Sequence, residues 1–180
     1  MKRNSLTILS VAALTVLAGC SKAPENVAEK VIESALEKDG TKAKVDLSSG
    51  SARITTTDAS GKTSHMEMGV ASVTESDLGV PFYPGTKPLE GQATRINTPD
   101  GSAVTVALHS DDAPAKVAAF YRERLKAQAE GKQFMEMSGG DSNTTLMLAD
   151  EKTKAAIQVH VNKADKGTDV QIMSNRGASK

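Results

Sequence analysis

The stretch SAVTVALHSDDAPAKVAAFYRERLKAQAEG, Ser102 to Gly131, changes its apolar period part-way along. Up to Ser110, the residues Val104, Val106 and Leu108 recur at every second position, which places them on one face of a strand. Beyond Asp112, the residues Val117, Phe120, Tyr121 and Leu125 recur at three and four, which places them on one face of a helix. Asp111 or Asp112 can cap the helix, Pro114 suits its first turn, and Gly131 can close it. An apolar strand face running directly into an apolar helix face predicts a helix packed on a sheet.

The pattern extends outward in both directions. Upstream, EGQATRINT (Glu90–Thr98) reads as a strand joined to SAVTVALHS by the turn signal PDG. Downstream, four strands are expected at 132–138, 143–148, 155–162 and 168–173, with clean alternation through Ile157, Val159 and Val161 and again through Val170 and Ile172. No helical stretch separates these four, so an antiparallel meander on one helix is expected. SNRGASK (174–180) reads as a frayed tail.

The first third of the chain repeats the theme on a smaller scale. Val27, Ala28, Val31, Ile32, Ala35 and Leu36 have helical spacing, and Glu25, Glu29, Glu33 and Glu37 form a second stripe that reads as the solvated side. Gly40 can end this helix. AKVDLSS, SARITTTD and KTSHMEMG follow as strands, with Gly50 and DASG (Asp58–Gly61) as turns. The predicted fold class is α+β: two small helix-on-antiparallel-sheet regions, α-β-β-β (25–78) then β-β-α-β-β-β-β (89–174). A proline- and glycine-rich connector (79–88) lies between them and a flexible tail (175–180) follows. One helix on three strands is marginal alone, so the first region is expected to dock on the second.

The N-terminus has a different character. Lys2 and Arg3 precede a mostly apolar run, Leu6–Leu17, which is too short to span a bilayer. The run ends in LAGC, Leu17–Cys20, and Cys20 is the single cysteine of the chain. This arrangement resembles the lipobox of bacterial lipoprotein precursors. The resemblance implies a cleaved signal peptide (1–19), a diacylglyceryl group and an N-acyl chain on Cys20, and a short tether (20–24). Ser21 after the cysteine implies delivery to the outer membrane, facing the periplasm, or to the outer face of the cell membrane in a single-membrane organism. Two or three acyl chains hold firmly where one is marginal, at about 0.8 kcal/mol per buried methylene. Removing Lys2 and Arg3 leaves 20 basic against 22 acidic residues, and no basic run or basic-aromatic stripe points to nucleic acid.

A second resemblance covers Val80 to Leu148. VPFYPGTKP, a hairpin, and DDAPAKVAAFYRERLKAQ are similar to a pattern in uncharacterised small bacterial envelope lipoproteins, which carry a Tyr-Pro-Gly connector and a Phe-Tyr-x-x-x-Leu helix. It implies fold and location and no activity.

Four of the five aromatics form two Phe-Tyr pairs, Phe82-Tyr83 and Phe120-Tyr121. They can fill a core beneath the connector or line a pocket for a small ligand or glycan. HMEM (His65–Met68) and FMEM (Phe134–Met137) carry thioethers, which are copper ligands. On a strand, however, Met66 and Met68 face away from His65 and Glu67. Met135 and Met137 share a face in the same way, and core gap-filling is the competing reading for all four. His65, His109 and His160 have no zinc-site spacing, and His109 and His160 fall on outward strand positions. SGGDS (Ser138–Ser142) lacks the lysine and helix of a phosphate loop and reads as a hairpin turn. Asp111-Asp112 reads as a helix cap. No nucleophile-base constellation stands out, and no cofactor beyond the lipid is expected. The expectation is a non-enzymatic envelope module that binds a protein partner or an envelope polymer. The alternatives are a periplasmic small-ligand or copper-binding protein and, more weakly, a hydrolase with dispersed catalytic residues.

Overall fold

A computed structural model describes residues 25–37, 40–69, 72–140 and 142–178. The elements are α1 (Glu25–Leu36), β1 (Lys42–Asp46), β2 (Ala52–Thr57), β3 (Thr63–Met68), α2 (Glu75–Leu78), β4 (Pro88–Thr98), β5 (Gly101–Ser110), α3 (Pro114–Lys126), β6 (Gln133–Ser138), β7 (Asn143–Asp150), β8 (Ala155–Lys163) and β9 (Thr168–Gly177). The nine strands form one antiparallel sheet in the order β1-β2-β3-β4-β5-β9-β8-β7-β6. Met66 of β3 pairs with Ile96 of β4, so both regions expected from the sequence share this sheet. The expected signal peptide, Cys20 and the expected tether lie outside the described residues.

The turns explain the register. Gly101 closes the β4–β5 hairpin with φ +148°, where a Cβ would meet the Arg176 carbonyl oxygen at 2.3 Å. β9 returns along all of β5, from Gly101 opposite Gly177 to Ser110 opposite Thr168. The expected tail is therefore strand as far as Gly177, because β5 is long enough to pair with it; Ser179 and Lys180 lie outside the described residues.

The main core lies on one face of β5, β9, β8 and β7. Val106, Leu108, Ile172, Val159 and Leu146 are buried there against Val117, Tyr121 and Leu125 of α3, together with Leu78 of α2. α3 packs on β7 and β8, and Arg122 binds Glu136 of β6 (Nε to Oε2, 2.9 Å), tying the helix to the edge strand. The α3 cap differs from expectation. Its N-cap is Ala113 and no side chain caps it. Asp112 is instead occupied by Tyr83 and Lys116.

α1 reverses the sequence reading. Its glutamates face the sheet edge: Glu29, Glu33 and Glu37 accept hydrogen bonds from the backbone N–H groups of Leu47 (2.9 Å), Val45 (2.8 Å) and Ala43 (3.3 Å). Val27, Val31, Ile32 and Leu36 are exposed, Val31 by 62%. The match is geometric. Four helical residues rise about 6 Å, and two strand residues rise about 6.8 Å. An i, i+4, i+8 row of carboxylates therefore meets alternate outward amides of an unpaired edge.

Leu146→Ala should cost about 2–5 kcal/mol of stability, as a buried cavity does. Met137→Ala should stay within about 0.5 kcal/mol, as an exposed change does. Urea midpoints of the two variants check this.

Candidate interaction surface

Residues directly opposite one another on adjacent strands share a sheet face. One such row runs Val45, Ile54, Met66, Ile96, Ala103, Asn175, Ala156, Ala149 and Gln133 across all nine strands. A neighbouring row runs Ala52, Met68, Thr94, Thr105, Met173, Gln158, Met147 and Met135. Both rows lie on the face opposite α3, because Thr105, Met173, Gln158 and Met147 alternate with the buried Val106, Ile172, Val159 and Leu146. Neither row contains Asp, Glu, Lys or Arg. A third row adds Ala107, Gln171, His160, Thr145 and Met137.

All six methionines beyond Met1 therefore occupy this face. None is in the buried core, so they do not fill gaps there; Met137 is 62% exposed and Met135 43%. The apolar polarity of the sheet also changes sides. On β1 to β4, the α3-side face carries Lys44, Thr55, His65 and Asn97, then Asp46, Arg53, Glu67 and Arg95. Apart from Ala93, which joins the core opposite Val106, Val45, Ile54 and Ile96 of these strands point the other way. The N-terminal hairpins thus extend an apolar band along the face opposite α3, open except at its β1 end, where Val45 is buried beside α1, rather than extending the core beneath α3.

Met66 and Met68 face away from His65 and Glu67, as strand alternation requires. His160 is on the methionine side; its Nδ1 lies 3.0 Å from the Thr145 hydroxyl. His109 contacts Asp169 (2.7 Å) at the end of the same face. Among the described residues, no group of three His, Cys, Asp or Glu side chains is arranged to hold a metal ion.

The aromatic pairs are elsewhere. Tyr83 and Tyr121 are buried, while Phe82 and Phe120 are partly buried against the same core. Phe120 stands edge-on to both tyrosines, with centroids 5.2 Å from Tyr83 and 5.1 Å from Tyr121. Arg124 lies over the Phe120 ring. The Tyr83 hydroxyl donates to Asp112 (2.6 Å), which also accepts from Lys116. These two bonds hold the Asp112 carboxyl below its ordinary range, and the Asp112 bond pushes the Tyr83 phenol up. The Tyr121 hydroxyl is buried beside the Tyr83 backbone with no well-formed hydrogen bond among the described residues, and burial pushes its phenol far up. The adjacent cleft of about 280 Å³ is lined by Pro84, Gly85, Thr86 and His109–Asp112, not by the aromatic rings. The connector closes over the end of the core and is fixed by its ring contacts, each edge-to-face pair worth about 0.5–1.5 kcal/mol.

The sequence reading missed α2. Thr74 and Asp77 form a capping box around it, and Thr-Glu-Ser-Asp carries that signal. Asp77 also binds Arg95 of β4 (3.0 Å), and Arg176 of β9 donates to the Ser76 and Asp77 carbonyls. The Arg95 guanidinium first, and the Thr74 amide second, hold the Asp77 carboxyl far below its ordinary range.

No family model matches this chain, and no curated protein or solved structure is significantly similar to it. Among the described residues no helix is long and apolar enough to cross a membrane.

The depressed Asp77 value gives a pH signature. Its contribution is fully present above the unfolded carboxyl value of about 3.9 and is lost as pH falls toward the folded value. Asp77→Asn should cost about 1 kcal/mol at neutral pH, the scale of a lost cap. The gap from wild type should narrow at pH 3, as read by denaturant unfolding at both pH values.

Proposed function

We propose that this chain is a bacterial lipoprotein, anchored by acyl chains on Cys20 to the periplasmic side of the outer membrane, and that it is a non-enzymatic module binding a partner protein across the uncovered sheet face. The two regions, α-β-β-β and β-β-α-β-β-β-β, work as one surface through their shared sheet, with α1 at its β1 edge. The observation that carries the binding reading is the pair of uncharged cross-strand rows on that face. Protein interfaces are depleted of charge at their centres and enriched in methionine. Thioether side chains re-pack against different partner shapes at low cost. The absence of charge from these rows disfavours a charged polymer as the ligand. The aromatic connector supports the role only indirectly, by fixing one end of the sheet.

Two measurements test this. Mass spectrometry of the N-terminal peptide should find Cys20 diacylated and N-acylated, and Cys20→Ala should leave an uncleaved precursor. Cleavage with a free thiol would contradict the anchor. A photocrosslinking residue at Met147 or Met135 should trap one protein reproducibly in cells, while the same residue at Glu123 on α3 should not. Equal yields from both sides of the sheet would contradict the surface assignment, and trapped glycan would redirect it to an envelope polymer.

A second reading, binding of a soft metal such as copper(I), is favoured by one observation: Met135 is directly opposite Met147, and His160 and Met173 lie on the same face. Under this reading, the protein should withdraw copper(I) from a chromogenic chelator, and Met147→Leu should weaken that at least tenfold. No withdrawal by the wild type removes the reading.

A further inference from the structure

We propose that α1 is a second membrane contact: its exposed apolar side rests in the lipid interface beside the acyl chains on Cys20. The inference rests on the lipoprotein reading and adds to it a surface, an occupant and an orientation.

An amphipathic helix on a globular domain normally turns its apolar side to the core. In α1 the polar side is consumed instead. Glu29, Glu33 and Glu37 hold the outward amides of β1. At about 100° per residue, Val27 and Val31 each lie about 160° around the helix from Glu29. The sheet edge thus fixes the helix with Val27 and Val31 outward, both more than half exposed, while Ile32 and Leu36, about 60° and 20° from Glu29, flank the glutamate row and stay partly open.

Chain length names the occupant. α1 begins at Glu25, five residues after Cys20. Five extended Cα steps reach at most about 18 Å. With the acyl chains of Cys20 in the leaflet, the first turn of α1 cannot leave the neighbourhood of the headgroups. The anchor has already removed the cost of bringing the helix to the surface, and the edge bonds have removed the cost of folding it. Lys30 on α1, and Lys42 and Lys44 on β1, are exposed along the same edge and offset the α1 carboxylates there, so charge does not bar the approach to headgroups.

A second copy is a poorer occupant. Twelve residues make a helix about 18 Å long and 10 Å wide. Two such faces bury a few hundred Å², well short of the roughly 1,200–2,000 Å² of a stable interface. Lipid contact needs no such area, because the acyl chains supply the affinity. The resulting orientation stands the sheet on its β1 edge. Eight strand spacings of about 4.8 Å put β6 roughly 38 Å from that edge, so the methionine rows run away from the membrane, open to the periplasm.

The test uses the native lipidated full chain in vesicles of phosphatidylethanolamine and phosphatidylglycerol. An environment-sensitive fluorophore is placed on Val31→Cys and, separately, on Glu123→Cys of α3; lipidation has already consumed the Cys20 thiol. At position 31 the emission should shift to the blue and rise several-fold on vesicle binding. Nitroxide lipids labelled near the headgroup should then quench it. At position 123 neither change should occur. Water-like emission at position 31 in protein that floats with the vesicles would overturn the proposal while leaving the anchor intact. A blue shift that nitroxide lipids do not quench would also overturn it, since protein would then cover the face. Failure to float, with no lipid found on Cys20 by mass, would show instead that the anchor reading itself is wrong.

Discussion

The β5–β9 ladder is the constraint on which the rest of the molecule depends. It is a ten-residue antiparallel pairing, and it joins the N-terminal hairpins to the C-terminal meander. β5 carries β4, and through it β3, β2 and β1, on its other side. β9 brings β8, β7 and β6, and their buried face receives α3. Without this ladder there would be two small sheets, and only the C-terminal one would keep α3 as a second layer. With it, the buried Val106, Leu108, Val170 and Ile172 sit at the centre of one core.

The same ladder determines what is left uncovered. Its core side is aliphatic, and its other side carries Thr105, Ala107, Gln171 and Met173. Toward β1 the polarity reverses, so the aliphatic residues of the hairpins lie beside the methionines instead of beneath α3. The reversal is possible because α2 and α3 pack mainly on the β5–β9–β8–β7 half and reach β4 and β6 through the Asp77–Arg95 and Arg122–Glu136 ion pairs, not β1 to β3. Strands beyond their reach gain nothing from apolar residues on the helix side. The edge is managed separately: carboxylates of α1 take the outward amides of β1, which would otherwise template strand addition. Sheet, edge and helix thus form one arrangement in which a large uncharged face remains accessible.

Much of the fold was legible in the sequence. The two-residue period through Val104, Val106 and Leu108 and the helical period through Val117, Tyr121 and Leu125 locate the core elements, and each expected strand overlaps one of the nine, the last running on to Gly177. Three features escaped the sequence reading, each for a physical reason. Periodicity shows that α1 is amphipathic but not which side meets the protein, and the edge of β1 lies outside any local window. Alternation pairs Met66 with Met68, and Met135 with Met137. It cannot reveal that six methionines from four strands converge on one face, because that follows from cross-strand register. The α2 capping box at Thr74–Asp77 was readable but spans a single turn, too short for an apolar period. For the connector, the Phe-Tyr pairs pointed to the right partners, while the Tyr83–Asp112 bond depends on a contact 29 residues apart.

The uncovered face is the central claim, and methionine oxidation tests it most directly. The purified, folded protein would be treated with dilute hydrogen peroxide and the rate at each methionine followed by peptide mass spectrometry. The account predicts that all six oxidise in the native state, Met137 fastest, with no loss of secondary structure beforehand. Protection of Met66, Met68, Met147 and Met173 until denaturant unfolds the sheet would contradict it, since a second layer would then cover that face.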